Sequence, residues 1–403
     1  MKPFLLLYAG MLCCMAARAQ EHYWTLESCI ARAQDSQYTI RNALLEEQLA
    51  IADKRAAWRA LLPAVSATSG YEYAGTRIAG AGYQASAGLA TRIPLFQGGF
   101  LRKQLAYREA LWEYARGQSK RSAAGVKWAV VELYLRALQA RADRTAARQV
   151  AAQLDTYAKD HTASVAGYLR QKYDRIVATQ EQAYRLCYQQ LMIYLYLPLD
   201  NEDSLADPGR IIPVYRSFAA AIDNGLLTDA GLRADRLYLA ATKALVQYKK
   251  RAAWPALYAE GYYGPLWQQA GTVPHPGTDL NGRFSLQLHV PLFNNGTIRK
   301  EKEQALLSGR QAALRLQEDE RLLYQDMSRY YIQHQWSSRN LYKAEATLKT
   351  AAYRFAATGA GIDTDAGLLL AIDQWYAAWL DRNMAWNQLV YQTLWIDFNS
   401  GRL

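Results

Sequence analysis

The sequence predicts a mainly α fold with a smaller β part, built as a tandem duplication, and three observations lead there. A unit of helix, strand, strand, helix, helix occurs twice. The helical stretches run far past ordinary globular length, and between them the hydrophobic period changes from 3.6 residues to two. The duplication is visible in the residues themselves. Lys54-Arg55-Ala56-Ala57-Trp58-x-Ala60-Leu61 returns as Lys250-Arg251-Ala252-Ala253-Trp254-x-Ala256-Leu257, and Pro94-Leu95-Phe96-x-x-Gly99-x-x-Arg102-Lys103 returns as Pro291-Leu292-Phe293-x-x-Gly296-x-x-Arg299-Lys300, at offsets of 196 and 197 residues. The expected organisation is a first repeat over 20–200, a linker over 201–224 and a second repeat over 225–403. Asp207-Pro208-Gly209 and Pro213 mark the linker.

Lys2, the apolar run Phe4 to Ala16 and the small-x-small triplet Ala17-Arg18-Ala19 predict a signal peptide over 1–19, with the mature chain starting at Gln20. The run is too short to span a bilayer as a helix. Cys13 and Cys14 fall inside it without the Leu-small-small sequence of a lipoprotein cleavage box, so no lipid anchor is expected. Loss of Lys2 and Arg18 takes the formal charge from +11 to +9. The remaining Lys and Arg are spread along the helices rather than gathered in a block, which points to solvated faces and to no nucleic-acid partner. Cys29 and Cys187 remain in the mature chain. They could bridge in an oxidising compartment, but one distant pair is no disulfide framework, and two thiols packed in helices are the plainer expectation.

Thr25 is placed to cap a helix that starts at Leu26, with Glu27 in its first turn. No Gly or Pro interrupts the chain from there to Leu62, so one helix is expected, stopped by Pro63. From Phe100 an Ala-rich helix is expected to about Ala158, roughly 85 Å at ~1.5 Å per residue. Close packing of such helices favours a tubular coiled coil. A further helix is expected from about Leu169 to Tyr196, ended by Pro198. The second half repeats the order, with helices at about Asp229 to Trp254, Thr297 to Ala357 and Thr364 to Phe398.

Between the helices, Tyr83, Ala85, Ala87, Leu89 and Ile93 alternate with Gln84, Ser86, Gly88 and Arg92, predicting a strand over about 83–93 whose partner is about 64–74. Phe284, Leu286, Leu288 and Val290 alternate with Ser285, Gln287 and His289 in a strand over about 283–291. Its partner, about 257–267, has two possible faces: Leu257, Ala259, Gly261 and Tyr263, or Tyr258, Glu260 and Tyr262. No other segment approaches the ~20 apolar residues of a membrane helix, so a membrane role would fall to strands in a closed barrel. Strands of about ten residues with one apolar and one polar face suit that role. Tyr71, Tyr73, Tyr83, Tyr262 and Tyr263 are the candidates for an interfacial aromatic belt. Each Pro-Leu-Phe-x-x-Gly marks a strand-to-helix junction: Pro94, Leu95, Phe96 and Gly99 in the first half, Pro291, Leu292, Phe293 and Gly296 in the second. Pro cannot donate to a ladder, and Gly permits a sharp change of direction.

Catalytic chemistry has little to stand on. The five histidines, His22, His161, His275, His289 and His334, show no metal-ligand spacing, and there is no Cys-x-x-Cys. Gly80-x-Gly82-x-x-Ala85 lacks the leading apolar strand and following helix of a dinucleotide loop and reads as a hairpin turn. No catalytic, cofactor-binding or metal residue is assigned, and no enzyme activity is expected.

The ordered set Thr25-Leu26-Glu27-x-Cys29-Ile30, Ala56-Ala57-Trp58 with Pro63, Pro94-Leu95-Phe96-x-x-Gly99, Leu232-Arg233-Ala234-Asp235-Arg236-Leu237 and Pro291-Leu292-Phe293-x-x-Gly296 resembles the TolC-like outer-membrane efflux proteins over essentially the whole mature chain. The resemblance implies a homotrimer. Each protomer would give four strands to a shared 12-stranded β-barrel, continued by a long α-helical periplasmic barrel. It implies a passive channel in the outer membrane of a Gram-negative-type cell, serving tripartite efflux or type I secretion. The implied partners are outer-membrane lipid, a periplasmic adaptor (membrane fusion) protein and an inner-membrane pump of RND, ABC or MFS type. His161 to Leu169 departs from the family's Gly-x-x-x-x-x-x-Leu-Leu-x-Ala pattern, and Tyr353 to Ala371 is longer than the family spacing. Asp363 and Asp365 are the candidate periplasmic aperture, where two carboxylates per chain around a trimer axis would favour cations; helix N-terminal acids complementing a dipole are the alternative. The alternative function is a soluble periplasmic coiled-coil scaffold without pore activity, which would leave the strand hairpins solvated.

Overall fold

The computed structural model describes residues 24–76, 80–157, 163–199, 205–208, 217–270, 280–293, 295–358 and 365–401. The elements run α1 (Leu26–Ser36), α2 (Tyr38–Arg59), β1 (Ala64–Thr76), β2 (Gly80–Phe96), α3 (Phe100–Tyr157), α4 (Ala163–Tyr194), α5 (Phe218–Thr228), α6 (Ala230–Arg251), β3 (Ala256–Ala270), β4 (Leu280–His289), α7 (Thr297–Thr358) and α8 (Asp365–Asn399). The fold is mainly α with one four-stranded sheet. No helix among the described residues is long and apolar enough to cross a membrane.

Thr25 caps α1 as its sequence suggests. Its Oγ1 accepts from the Ser28 amide at 3.1 Å, and Ser28 Oγ accepts from the Thr25 amide at 3.0 Å, which satisfies two amides that the helix leaves open. The single helix expected from Leu26 to Leu62 is instead two. Gln37 adopts an extended conformation between α1 and α2, and its buried side chain donates to the Tyr194 carbonyl while its amide closes on Ala33. A long-range polar contact holds this break, and neither Gly nor Pro signals it. The stretch expected as linker also holds structure: Leu205 bridges to Trp24, and α5, capped by Ser217, begins at Phe218. Arg141 donates to the Leu205 carbonyl, and the Tyr134 hydroxyl reaches the carbonyls of Trp24 and Ala206.

The chain divides into two compact units. One comprises residues 1–42, 120–230 and 320–403, and among its described residues that bridge is the only β element. Its main core joins α1, α3, α4 and α8 through Cys29, Val130, Val131, Tyr134, Leu191 and Leu394. A second cluster gathers Val150, Leu169, Tyr173, Phe355, Ile372 and Trp375, with Phe355 stacked on Trp375 at 4.9 Å. Cys29 and Cys187 are free thiols, and burial pushes the pKa of Cys29 up to about 12.

The other unit comprises 43–119 and 231–319 and contains the sheet. Its helices meet through small residues and rings. Buried Ala234, Ala241, Ala305 and Ala312 allow close approach, and Gly117 lies so near Leu237 that a Cβ would stand 2.8 Å from it. Tyr248 packs between Phe100 and Tyr107, and Tyr114 meets Tyr238 at 5.0 Å.

Both strand-to-helix junctions use the same backbone device. Gly98 and Gly99 have φ of 58° and 79°, and Asn295 and Gly296 have 51° and 74°, so two consecutive left-handed residues precede each helix start. Gly tolerates this region freely, and Asn better than most residues. The junctions differ in surroundings: a Cβ on Gly98 would stand 2.3 Å from Trp254 Cβ, whereas one on Gly99 or Gly296 would meet open space. Gly99→Ala is therefore expected to cost only its backbone strain, about 1–2 kcal/mol. Gly98→Ala adds a clash with the second half of the chain and destabilises more, as denaturant unfolding of the two purified variants side by side would measure.

Candidate functional site

The sheet is the functional candidate, because it is an open antiparallel sheet with two chemically different faces. Its order is β1-β2-β3-β4, joining the two hairpins through β2 and β3. β1, β2 and β3 span or exceed their expected bounds, whereas β4 begins before the expected 283 and ends at His289, short of the expected 291; the hairpin segments 77–79 and 271–279 lie outside the described residues.

Register assigns the faces. Val65 pairs with Thr91, Ala67 with Leu89 and Tyr71 with Ala85. Leu89 pairs with Tyr263, and Ile93 with Ala259. Gly261 then pairs with Phe284, Ala259 with Leu286 and Leu257 with Leu288. Alternation places all of these on one side, which settles the two-way reading of β3 in favour of the Leu257, Ala259, Gly261, Tyr263 face. This apolar face is bare: Val65, Tyr71, Leu89, Tyr263, Phe284, Leu286 and Leu288 are between 55% and 72% exposed. In water such a patch is unfavourable by roughly 25 cal/mol per Å² of apolar surface.

The opposite face is polar. Arg92 Nε lies 3.3 Å from Glu260 Oε1, Gln287 Nε2 donates to Glu260 Oε2 at 2.6 Å, and the Arg92 guanidinium sits 4.1 Å over the Tyr258 ring. Arg92 and Glu260, with Ser66, Tyr262, Arg283 and Ser285, line a concavity of about 420 Å³. Tyr262 belongs to this face, its hydroxyl 3.4 Å from the Pro265 carbonyl, so it leaves the belt candidates, whereas Tyr71 and Tyr263 stand on the apolar side. Gly88 and Gly264 face each other across β2 and β3 at a close approach: a Cβ on Gly264 would lie 2.3 Å from the Ala87 carbonyl oxygen.

The junction residues are brought to the base of this sheet. Pro94 lies inside β2 opposite Tyr258, at a bulge between Pro94 and Phe96 that accommodates its missing donor. Pro291 lies beyond the end of β4 at His289. Leu95 and Phe96 are about half exposed, and Leu292 and Phe293 are 91% and 85% exposed.

The aperture candidates stand elsewhere. Asp365 is the first residue of α8, and Asp363 lies outside the described residues. Two turns further along α8, Asp373 accepts from Lys172 Nζ at 2.7 Å and from the Tyr173 hydroxyl at 2.9 Å. Burial, and then the hydrogen bond to Asp373, push the Tyr173 hydroxyl pKa up. Asp143 accepts from Asn383 at 2.9 Å, and burial raises its pKa against that bond. Nothing in the sequence alone singles out Asp373, because its partners come from a helix about 200 residues away. Among the described residues no group of His, Cys, Asp or Glu is placed to hold a metal ion.

The arrangement of this sheet and its helices is the fold of solved membrane proteins. The outer membrane protein VceC from Vibrio cholerae aligns with TM-score 0.79 at 12% identity, covering 93% of this chain and 96% of its own. The fold is TolC-like. The MtrE outer membrane channel of Neisseria gonorrhoeae, solved in its open state, aligns with TM-score 0.78 at 14% identity over 94% of this chain and 89% of its own. A membrane protein from Pseudomonas aeruginosa gives 0.80 at 14% over 93% and 90%. No family model matches the sequence, and no curated protein matches it. In this TolC-like fold the two sheet faces should respond differently to charge. Leu286→Arg puts a charge on the bare face and Ser285→Arg puts one on the polar face. Leu286→Arg is expected to bind less of a hydrophobic dye than Ser285→Arg, as fluorescence titration of the two purified variants would measure.

Proposed function

We propose that this chain is one protomer of a passive outer-membrane channel of a tripartite efflux or type I secretion system. The observation that carries the proposal is the four-stranded sheet: apolar on one face, polar on the other, and open along β1 and β4. In lipid an open edge leaves amides and carbonyls without partners at several kcal/mol each, so β1 and β4 must pair with strands of other copies. Three copies would give the 12-stranded barrel that the family resemblance implies, and a solved outer membrane channel of the same fold supports the channel reading. The polar face with Arg92, Glu260 and Gln287 then lines water, and the helices stand in the periplasm.

In this reading residues 1–19 are removed as a signal peptide, and 20–200 and 225–403 form two repeats around the 201–224 linker. Pro94, Leu95, Phe96, Gly99, Pro291, Leu292, Phe293 and Gly296 form the membrane-to-periplasm boundary. A periplasmic adaptor and an inner-membrane pump of RND, ABC or MFS type supply the cargo and the energy, and the channel catalyses no reaction.

The mature chain should fractionate with the outer membrane, need detergent for extraction and run as an SDS- or heat-sensitive trimer that conducts in planar bilayers. Recovery as a soluble periplasmic monomer would reject the proposal in favour of a coiled-coil scaffold. We also assign the periplasmic aperture to Asp363 and Asp365. A ring of carboxylates concentrates cations, so the Asp363→Ala, Asp365→Ala double variant is expected to conduct with reduced cation selectivity. Unchanged conductance and selectivity would remove these residues from the aperture.

A further inference from the structure

The Lys-Arg-Ala-Ala-Trp motif precedes the first strand of each half, and the channel reading gives it no task. In the second half its tryptophan has a structural one: Trp254 covers Gly98 and lies under the Arg251 guanidinium at 4.6 Å. In the first half Trp58 is 54% exposed and lines a cavity of about 510 Å³ between α2 and α3. That volume is within the ~300–1,000 Å³ of ligand sites. The interior is apolar, with Ile51, Leu105 and Trp112, whose buried Nε1 has no partner among the described residues. The rim is cationic. Lys54 is held 2.7 Å from Glu109 and 4.4 Å over the Trp112 ring, while Arg55 and Arg59 are exposed and make no ion pair among the described residues.

Charge near the sheet repeats this preference. The helices that leave the strands, α3 and α7, have no acid in their first turn and carry Arg102, Lys103, Arg299 and Lys300 there. Cations at a helix N-terminus oppose the macrodipole, so helix stability does not account for them. An anionic surface beside the sheet does. The cavity lies on the last turns of α2, which ends shortly before β1 and its bare Val65 in the chain.

We infer that the cavity bounded by Lys54, Arg55, Trp58, Arg59 and Trp112 binds the headgroup of an anionic membrane phospholipid. The phosphate meets the arginine forks, which match it bidentately, and the glycerol and upper acyl chain lie on the tryptophans and Leu105. This assignment rests on the membrane reading above, and its test separates the two.

The mature chain, purified in mild detergent, is titrated with dihexanoyl phosphatidylglycerol, dihexanoyl phosphatidylcholine and inorganic phosphate, and retained lipid is counted by native mass spectrometry. The expected result is retention of the phosphatidylglycerol, about tenfold weaker binding of the zwitterionic lipid, and about a tenfold loss in Arg55→Gln, Arg59→Gln. The Arg55→Lys, Arg59→Lys variant should recover part of that loss. Removing two exposed cations late in α7, with Lys343→Gln, Lys349→Gln, should change nothing. Equal retention of both lipids, an unaffected Arg55→Gln, Arg59→Gln variant, or displacement of the lipid by equimolar phosphate would overturn the site. So would an Arg55→Cys variant that cross-links to a second copy in lipid-free detergent, since the neighbour would then fill the cavity. If the chain sediments with membranes and needs detergent while the lipid results go against the site, this inference alone fails. If it is soluble without detergent, the membrane reading fails first.

Discussion

Backbone hydrogen bonding along the two free edges of the sheet is the constraint on which the rest depends. Water can satisfy the exposed amides of β1 and β4, but lipid cannot, and the bare apolar face that runs across all four strands is unsuited to water. The two requirements conflict for an isolated chain. In the proposed channel they are reconciled when edges pair with edges, so that the apolar face closes into an outer wall and Arg92, Glu260 and Gln287 line an aqueous interior. Membrane insertion and oligomerisation would then be one event seen from two sides.

The two units meet different packing demands with different residues. In the all-helical unit, large buried side chains such as Tyr134, Leu191, Ile372 and Trp375 make conventional cores, and polar contacts such as Asp373 with Lys172 and Tyr173 fix helix against helix. In the sheet-bearing unit, alanines and tyrosine rings bring helices together, and large side chains of the sheet such as Phe284, Leu286 and Leu288 are exposed. A core built by large residues specifies a unique arrangement within one chain. A surface built by exposed large residues requires something outside the chain to complete it.

Much of this was legible in the sequence because it is periodic. The two-residue alternation of Tyr83 to Ile93 and Phe284 to Val290 marks both strands and their apolar sides, and the repeated Pro-Leu-Phe-x-x-Gly marks both junctions. What escaped depended on distance in the chain. The register of β3 could not be chosen until Leu89 and Phe284 were seen beside Tyr263 and Gly261. The break at Gln37 needs the Tyr194 carbonyl, and the start of α5 lies in a stretch whose prolines read as linker. The membrane and trimer came with the family resemblance, since four strands alone only show that a closed barrel needs more than one chain. The aperture is the least legible part, because acids at a helix start look the same whether they complement a dipole or line a pore.

The contact between Gly98 and Trp254 bears on the order in which the chain can be completed. The turn that closes the first hairpin onto α3 is covered by a side chain 156 residues later, and β2 finds its second neighbour only in β3. The first half, delivered ahead of the second, therefore carries an unfinished junction and an unpaired central strand until residues 254–270 arrive. Such a nascent half is prone to mispair its open strand edges during the interval.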